Sequence, residues 1–125
     1  MGGGKFFLVR IMCAFLSRAI RFYYHCDIPY SVELTGVSIM HKGFGIVIHP
    51  HAKIGDRTII QNSVVIGERK PMEVPEIGRN CFIGAGAIII GKISIGDNAK
   101  IGAGAVVTTD IPEGCTAVGV PAKLV

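Results

Sequence analysis

Residues 54–107 decide the fold, and they read IGDRTIIQNSVVIGERKPMEVPEIGRNCFIGAGAIIIGKISIGDNAKIGAGAVV. An aliphatic residue recurs every six positions, apart from one eleven-residue step between Ile66 and Ile77. Six residues advance an α-helix by about 240°, so these positions would not share a helical face. On extended strands every second side chain points the same way, so a period of six places all of them on one side. The positions are Ile54, Ile60, Ile66, Ile77, Ile83, Ile89, Ile95, Ile101 and Val107.

A glycine directly follows most of these aliphatic residues, and a small or aliphatic side chain stands four places after most of them. Glycine allows bends that other residues make only at a steric cost. Short extended segments separated by regular bends, with a stacked aliphatic ladder inside, are typical of a solenoid. The sequence therefore predicts an all-β solenoid. The residues expected at the second inward position are Thr58, Val64, Cys81, Ala87, Ile93, Ala99 and Ala105.

The repeat aliphatic-Gly-x-x-small-x resembles the hexapeptide signature of acyltransferases built as left-handed parallel β-helices. Three strings bring the resemblance closest to the serine acetyltransferase branch, which also includes glycan-modifying relatives: GIVI at 45–48, IGAGA at 83–87 and VGVPAK at 118–123. In that family three hexapeptides form one triangular coil, and homotrimers bind acetyl-CoA between subunits. The resemblance covers residues 27–125 and implies an acetyl-CoA-dependent O-acetyltransferase.

Two parts are expected, an N-terminal helix within residues 1–26 and a left-handed parallel β-helix over residues 27–125. From Lys5 to Tyr24, apolar side chains follow a spacing of three and four and share one face of a helix. Arginines interrupt the apolar run, which argues against a membrane span and against a signal peptide. Two interpretations of the helix stay open. It packs against the solenoid or its trimer mates, or it lies on a membrane surface as a basic amphipathic helix. The apolar face is Leu8, Ile11, Met12, Phe15, Ala19 and Phe22, and Arg10, Ser17 and Arg21 line the opposite stripe.

Composition sets broad limits on the partners and the compartment. The chain has 125 residues, a formal net charge of +4 and a pI near 9.0. This mild basicity suits a polyanionic ligand or an anionic membrane surface, and it is not by itself a nucleic-acid footprint. The four cysteines show no paired spacing, which favours free thiols in a reducing cytoplasm, with or without membrane association. No spacing of His and Cys resembles a zinc motif, so no metal is expected.

Two interruptions of the repeat are expected to shape the site. Residues bulge out at 41–45 in an irregular first coil, where glycines let backbone approach a ligand. The eleven-residue step carries an insertion at 67–76 with two prolines and five charges, which predicts a solvent loop. Insertions of this kind leave one side of a solenoid and often build its site.

Acetyl transfer from a thioester to a hydroxyl requires a base, and histidine is the side chain whose ordinary pKa suits that role near neutral pH. Among His25, His41, His49 and His51, only His41 sits in the bulged coil. The resemblance places the family's base in the string before Gly-Ile-Val-Ile, where His41 stands. It places the orienting carboxylate in an Asp-Ile-x-Pro string, which here is Asp27-Ile28-Pro29. A carboxylate on the far ring nitrogen fixes the tautomer of the base.

The acceptor positions depart from the family pattern. The family's serine-binding Asp, directly before the catalytic His, is Met40 here. Its Arg and second active-site His, before the loop proline, are Glu73 and Val74. Without those groups the chain lacks the charges that hold a free amino acid. A substrate site at Met40 and Val74 therefore favours a neutral hydroxyl such as a sugar or glycan over L-serine.

For the donor, two pairs of small residues offer backbone with almost no side chain, along which the pantetheine arm of acetyl-CoA could lie. They are Ala85-Gly86 and Ala103-Gly104. Lysines nearby could reach the phosphates as point charges. The candidate donor-binding residues are Gly84, Ala85, Lys100, Ala103, Gly104 and Lys123.

Two other function classes stay open. One is a catalytically idle hexapeptide scaffold or binding subunit, against which the presence of both Asp27 and His41 argues. The other is a γ-class carbonic anhydrase, which shares the solenoid but needs three histidine ligands on zinc, and the spacing of the histidines argues against it. The sequence does not decide the acceptor or the length of the acyl chain.

Overall fold

The structure is a computed structural model that describes residues 3–125. A long helix, α1 (Gly3–Tyr24), leads into strands of two or three residues that wind into successive coils. A 3-10 turn at His41–Gly43 interrupts the first coil. The strands are β1 Ser38–Ile39, β2 Val47–Ile48, β3 Lys53–Ile54, β4 Ile59–Ile60, β5 Val65–Gly67, β6 Glu76–Ile77, β7 Phe82–Ile83, β8 Ile88–Ile90, β9 Ser94–Ile95, β10 Lys100–Ile101, β11 Val106–Val107, β12 Thr116–Val118 and β13 Lys123–Leu124.

The strands form three sheets of six, four and three strands, and the parallel neighbours in each sheet come from successive coils. Sheet A has the order β1-β4-β7-β10-β12-β13, sheet B has β2-β5-β8-β11 and sheet C has β3-β6-β9. All pairings are parallel except that of β12 with β13. Ile48 pairs with Ile66, and Ile83 pairs with Ile101, so a regular coil takes eighteen residues. The predicted solenoid of parallel hexapeptide strands with an N-terminal helix is confirmed.

The predicted aliphatic ladder lies inside the coils. All nine repeat positions are buried, and so are the seven residues at the second inward position. Burying an isoleucine side chain stabilises a fold by roughly 1.5–3 kcal/mol, so the stacked ladder is the main source of stability. Thr58 is the one polar side chain in this buried set. Its hydroxyl donates to the Gly78 carbonyl at 3.0 Å and accepts from the Cys81 amide at 3.2 Å, which satisfies it.

Three corners join the sheets, and we name them by the sheets that they connect. At the A–B and C–A corners of the regular coils one residue has a left-handed backbone, for example Gly104 at φ +69° and Asn98 at φ 60°. The glycine that begins many corners has a different role. A Cβ on Gly84 would lie 2.5 Å from the Ala103 amide nitrogen of the next coil. These glycines therefore let successive coils stack closely.

The structure agrees with the expected end of the helix and corrects one expectation about the insertion. Helix α1 ends at Tyr24, before the Asp27-Ile28-Pro29 string, because His25 adopts a left-handed backbone with φ 48°. The insertion is not a solvent loop throughout. Pro75 is fully buried, because it fills the inward position two residues before Ile77 that Ala52 fills in the preceding coil.

The last coil of the solenoid is shorter than the others, and the final strand pairs with its edge. Ile111 bridges to Ile95 and Ala117 pairs with Ile101, each after only sixteen residues. The last strand, β13, then runs antiparallel along β12. The edge of sheet A is thereby paired at its C-terminal end, as exposed sheet edges usually require.

Candidate active site

His41 lies at the A–B corner of the first coil, in the bulge that the sequence predicts. It begins the 3-10 turn, where His41, Lys42 and Gly43 have φ values of 51°, 60° and 68°. Three consecutive left-handed residues push this corner outward. The His41 side chain is exposed. An exposed imidazole on a bulged corner is open to a ligand that approaches from outside the coil.

The two pairs of small residues lie at the same corner as His41, further along the solenoid. The Gly86 amide donates to the Asn62 carbonyl and the Gly104 amide donates to the Ala85 carbonyl, at 3.0 and 2.9 Å. A Cβ on Gly104 would meet no atom within 4 Å. Adjacent strands are about 4.8 Å apart, so the coil of Ala103 lies about 14 Å from the coil of His41. We call the corner at these two pairs the bare strip. The coil between the strip and His41 carries Asn62 and Ser63 at this corner, whose side chains are hydrogen-bonded to each other at 3.4 Å.

Asp27 continues sheet B by one position beyond β2. Its amide donates to the Ile46 carbonyl at 2.7 Å, its carbonyl accepts from the Ile48 amide at 2.9 Å, and it bridges to Val47. The carboxylate is half exposed and lies 2.9 Å from the Arg21 guanidinium of α1. In the described chain no hydrogen bond joins Asp27 to His41. The carboxylate that the resemblance assigns to His41 is thus held by an arginine in this structure.

A second histidine is fixed at the B–C corner. The His49 imidazole accepts the His51 amide at Nδ1, at 3.2 Å, and its Nε2 lies 3.5 Å from the Glu68 carboxylate. Its side chain is only 18% exposed. Glu68 also accepts the Met72 amide at 2.9 Å, so the pair ties the start of the insertion to the second coil. Both ring nitrogens of His49 have partners, which leaves this histidine less free to act as a base.

His49 and Asp27 line one cavity. Its volume is about 460 Å³, and Arg21, Val47 and Gly67 also line it. The hexapeptide period by itself does not predict this grouping. The eighteen-residue coil contains the signal for it, because His49 follows Ile48 as Gly67 follows Ile66, which places His49 against the start of the insertion.

The two predicted acceptor residues lie at different corners. Met40 is exposed directly before His41 at the A–B corner. Val74 is half buried in the insertion, which leaves the solenoid at the B–C corner. Its amide donates to the Met72 carbonyl at 3.1 Å. Sheet B separates the two corners within one chain, so Met40 and Val74 form no single site in one chain.

The candidate phosphate-binding lysines both lie on sheet A. Lys100 points outward from β10, between Phe82 of β7 and Thr116 of β12. Lys123 lies opposite Val118 on the last strand. Both side chains are exposed. They flank the far end of the bare strip, while His41 lies at its near end.

The outer surfaces of sheets B and C differ sharply. The outward residues of sheet B are aliphatic in every coil, whereas those of sheet C are polar. A row of exposed or half-buried β-branched side chains on one side of a chain is a candidate interaction surface. The outward residues of sheet B are Val47, Val65, Ile88 and Val106, and those of sheet C are Lys53, Glu76 and Ser94.

The buried thiol of Cys81 is not placed to act as a nucleophile. Burial raises the pKa of the Cys81 thiol above its ordinary value. Its Sγ lies 3.2 Å from the Gly96 carbonyl, to which a protonated thiol donates. Cys81 is therefore a packing residue. Within residues 3–125 no group of three or more His, Cys, Asp or Glu side chains could hold a metal ion.

Comparisons with known proteins agree with this geometry. Residues 75–109 match the family described as bacterial transferase hexapeptide (six repeats). The chain is 42% identical to the serine acetyltransferase of Synechocystis sp. over 114 residues, which cover 88% of this chain and 45% of that protein. It is 31% identical to the serine acetyltransferase of Staphylococcus xylosus over 118 residues, which cover 92% of this chain and 55% of that protein.

Solved structures give the same similarity. A serine acetyltransferase in complex with CoA matches with a TM-score of 0.82 and 32% identity, over 93% of this chain and 49% of that chain. The apoenzyme of soybean serine acetyltransferase matches with a TM-score of 0.68 and 42% identity, over 71% of this chain and 38% of that chain. The chain thus spans about half the length of the Synechocystis and Staphylococcus relatives.

Proposed function

Because this chain belongs to the hexapeptide-repeat transferases, in their serine acetyltransferase-like branch, we propose that it is an acetyl-CoA-dependent O-acetyltransferase. The observation that carries the proposal is the A–B corner, where an exposed His41 and the bare pairs Ala85-Gly86 and Ala103-Gly104 share one edge. A left-handed winding of the coils, as in the family, is part of the proposal.

His41 is the general base in this proposal. Its imidazole takes the proton of the acceptor hydroxyl as the oxygen attacks the thioester carbonyl of acetyl-CoA. The carbon–sulfur bond breaks, the acetyl ester forms, and the CoA sulfur leaves and recovers the proton. A general base of this kind contributes about 10²- to 10⁴-fold to the rate. Asp27 would orient the imidazole only after its carboxylate leaves the Arg21 guanidinium and bonds to His41.

The donor would lie along the bare strip, with its thioester near His41 and its nucleotide end toward Lys100 and Lys123. The absence of large side chains at Ala103 and Gly104 gives a pantetheine arm access to the backbone. Gly84 is buried and lets the coils stack, so its contribution to donor binding would be indirect. Both lysines are exposed and could pair with phosphates as point charges.

The working assembly would be a homotrimer whose subunits cover the aliphatic outer surface of sheet B. That surface lies between the A–B corner, which carries His41 and Met40, and the B–C corner, which carries Val74. A second copy packed there would bring the B–C corner of one chain toward the A–B corner of another. Met40 and Val74 would then meet across a subunit boundary, although one chain holds them apart.

A sugar or glycan hydroxyl is the acceptor that the residues favour. Met40 and Val74 offer a thioether and an aliphatic chain, and Glu73 adds a carboxylate. An amino acid whose ammonium and carboxylate find no partners loses several kcal/mol of binding, which corresponds to about two orders of magnitude or more in affinity. A sugar ring could pack its apolar face on the same side chains. The similarity to serine acetyltransferases favours L-serine as the second candidate.

An assay of thiol release from acetyl-CoA tests the proposal. The panel contains L-serine, several free hexoses and a glycan oligosaccharide, each with the wild-type chain and with His41→Ala. We expect transfer to at least one sugar or glycan and weak or undetectable transfer to L-serine. Efficient turnover of L-serine at sub-millimolar concentration would keep the enzyme class and overturn the sugar acceptor. No thiol release with any acceptor would favour an idle scaffold.

A cytoplasmic location, where acetyl-CoA is made and thiols stay reduced, is a further part of the proposal. It is tested by fractionation of cells that express the chain. Recovery only outside the cytoplasm and its membrane face would contradict it.

A further inference from the structure

Helix α1 makes little contact with the rest of the chain. It has 22 residues, and none of them is buried. Its charged residues are all basic, Lys5, Arg10, Arg18 and Arg21, and residues 3–24 contain no aspartate or glutamate. Most helical stability in proteins comes from packing an apolar face, so a long exposed helix of this composition needs a partner surface.

The solenoid holds α1 by its polar side. The Arg21 guanidinium pairs with Asp27 at 2.9 Å. Arg10 and Ser17 line a cavity with Tyr30 of the solenoid, and the other residues of α1 that line it are Cys13, Ala14, Leu16 and Ile20. The stripe of Arg10, Ser17 and Arg21 therefore faces the solenoid.

The predicted apolar face of α1 lies opposite this stripe and is exposed, as are large apolar residues elsewhere on the helix, such as Phe6 and Tyr23. The large side chains on the apolar face are between half and four-fifths exposed, with Phe15 at 71% and Phe22 at 81%. Leu8, Ile11 and Met12 continue the same stripe at 66%, 51% and 56%. An apolar stripe of this length is an interaction surface rather than a set of scattered surface residues.

Charge decides between the candidate partners. A second copy of α1 on this face would bring together helices that carry four positive charges and no negative ones. An anionic lipid surface complements those charges, and its acyl boundary accepts the apolar stripe. Within the described residues no helix is long and apolar enough to cross a bilayer. A helix that lies in the plane of the interface needs no such length.

We propose that α1 docks the protein on an anionic phospholipid surface through Leu8, Ile11, Met12, Phe15 and Phe22. Lys5 and Arg18 flank this face and attract the headgroups, whereas Arg10 and Arg21 lie on the side of α1 toward the solenoid. The solenoid stays in water, because its contact with α1 is on the polar side. The proposal does not depend on the acetyl-transfer reaction.

Co-sedimentation with vesicles tests the proposal, using phosphatidylcholine alone and phosphatidylcholine with phosphatidylglycerol. We expect the full chain to bind the anionic vesicles about tenfold more strongly than the neutral ones, with the difference falling as salt rises. Phe15→Asp/Phe22→Asp should reduce binding to anionic vesicles about tenfold or more.

Val120→Asp/Val125→Asp is the matched control, because it adds the same two charges at exposed apolar residues far from α1 in sequence. It should reduce binding by less than about threefold, as a change in net charge alone would. Thermal unfolding of each variant checks that the solenoid is intact. Three results would overturn the proposal: no binding to either vesicle, an equal loss in the control, or a fall in solution mass caused by the α1 substitutions, which would assign the face to a second copy.

Discussion

The A–B and C–A corners of the solenoid have the same backbone and opposite side chains. At the left-handed position the C–A corner has Asn80 and Asn98 at φ 53° and 60°. The A–B corner has Ser63 in its second coil at φ 59°, and Gly86 and Gly104 in its third and fourth coils at φ 72° and 69°. The backbone therefore does not require glycine at this position. The glycines of the A–B corner keep it bare.

The C–A corner satisfies its own polar groups. The Asp97 carboxylate accepts the Arg79 amide at 2.8 Å, Arg79 Nε lies 3.3 Å from Asp56, and the Asn80 and Asn98 amides are joined at 2.7 Å. The A–B corner carries no comparable ladder at Ala85 and Ala103, which have no polar side chain. Side chains thus seal one corner and leave the other open to a ligand.

The largest effect should come from the histidine at the bare corner. His41→Ala should lower acetyl transfer by about 10²- to 10⁴-fold, the usual contribution of a general base, with CoA binding nearly unchanged. His51→Ala at the B–C corner is the control, because His51 is exposed and only its amide bonds to His49. Activity that survives His41→Ala within a few-fold would remove His41 from the mechanism.

Sheets B and C can be compared in the same way, by testing which of their outer surfaces holds the subunits together. Ile88→Lys places a charge on the aliphatic outer surface of sheet B, and it should dissociate the trimer because a buried unpaired ammonium is costly. Ser94→Lys makes the same change one hexapeptide later on polar sheet C. Light scattering should give three times 13.3 kDa for the wild type and Ser94→Lys, and one chain for Ile88→Lys. A wild-type monomer at micromolar concentration would contradict the assembly and the shared site.

Two glycines of the A–B corner have different surroundings, because Gly84 packs against the next coil and Gly104 faces open space. Gly84→Ala would set a Cβ 2.5 Å from backbone of the next coil and should cost roughly 1–3 kcal/mol of unfolding free energy or more. Gly104→Ala meets no atom and should cost only about 1–2 kcal/mol, for its left-handed backbone. Chemical denaturation of both variants measures the difference. We expect the larger cost for Gly84→Ala, and a larger cost for Gly104→Ala would contradict the open corner.

Cys81 gives the smallest expected effect. Its counterparts in neighbouring turns are Ala87 and Ala99, so Cys81→Ala should cost less than about 1.5 kcal/mol at neutral pH. Burial raises the pKa of the Cys81 thiol in the folded state, so the wild type should lose stability as pH rises past the ordinary thiol pKa, where the unfolded chain ionises first. The variant should lack this part of the alkaline loss. Parallel alkaline profiles for both proteins would contradict the buried-thiol account.

The sequence was sufficient for the parts of the molecule that repeat. The six-residue period predicts the inward ladder from Ile54 to Val107 and the corners where the small pairs lie, because every coil obeys the same geometry. It also places His41 in a bulge. The rest depends on contacts between residues outside the repeat. The Arg21–Asp27 pair joins a helix to the first coil, and the His49–Glu68 pair joins a coil to an insertion, and neither follows from a period.

Buried Pro75 shows that local composition can give a wrong prediction inside the repeat. A proline beside charged residues predicts a loop, yet the inward position two residues before Ile77 must be filled for the coil to close. Local composition and the repeat disagree there, and the repeat prevails.

The central claim is that the bare A–B corner holds the donor, and calorimetric titration with CoA tests it most directly. Ala103→Trp fills the strip with an indole, and Asp97→Trp places the same side chain at the equivalent position of the C–A corner. Both residues are exposed, so both variants should fold. The account predicts that Ala103→Trp weakens CoA binding by about tenfold or more, as loss of a few contacts worth 1.4 kcal/mol in total would. Asp97→Trp should bind CoA as the wild type does. Unchanged binding by Ala103→Trp, or an equal loss in Asp97→Trp, would contradict the account.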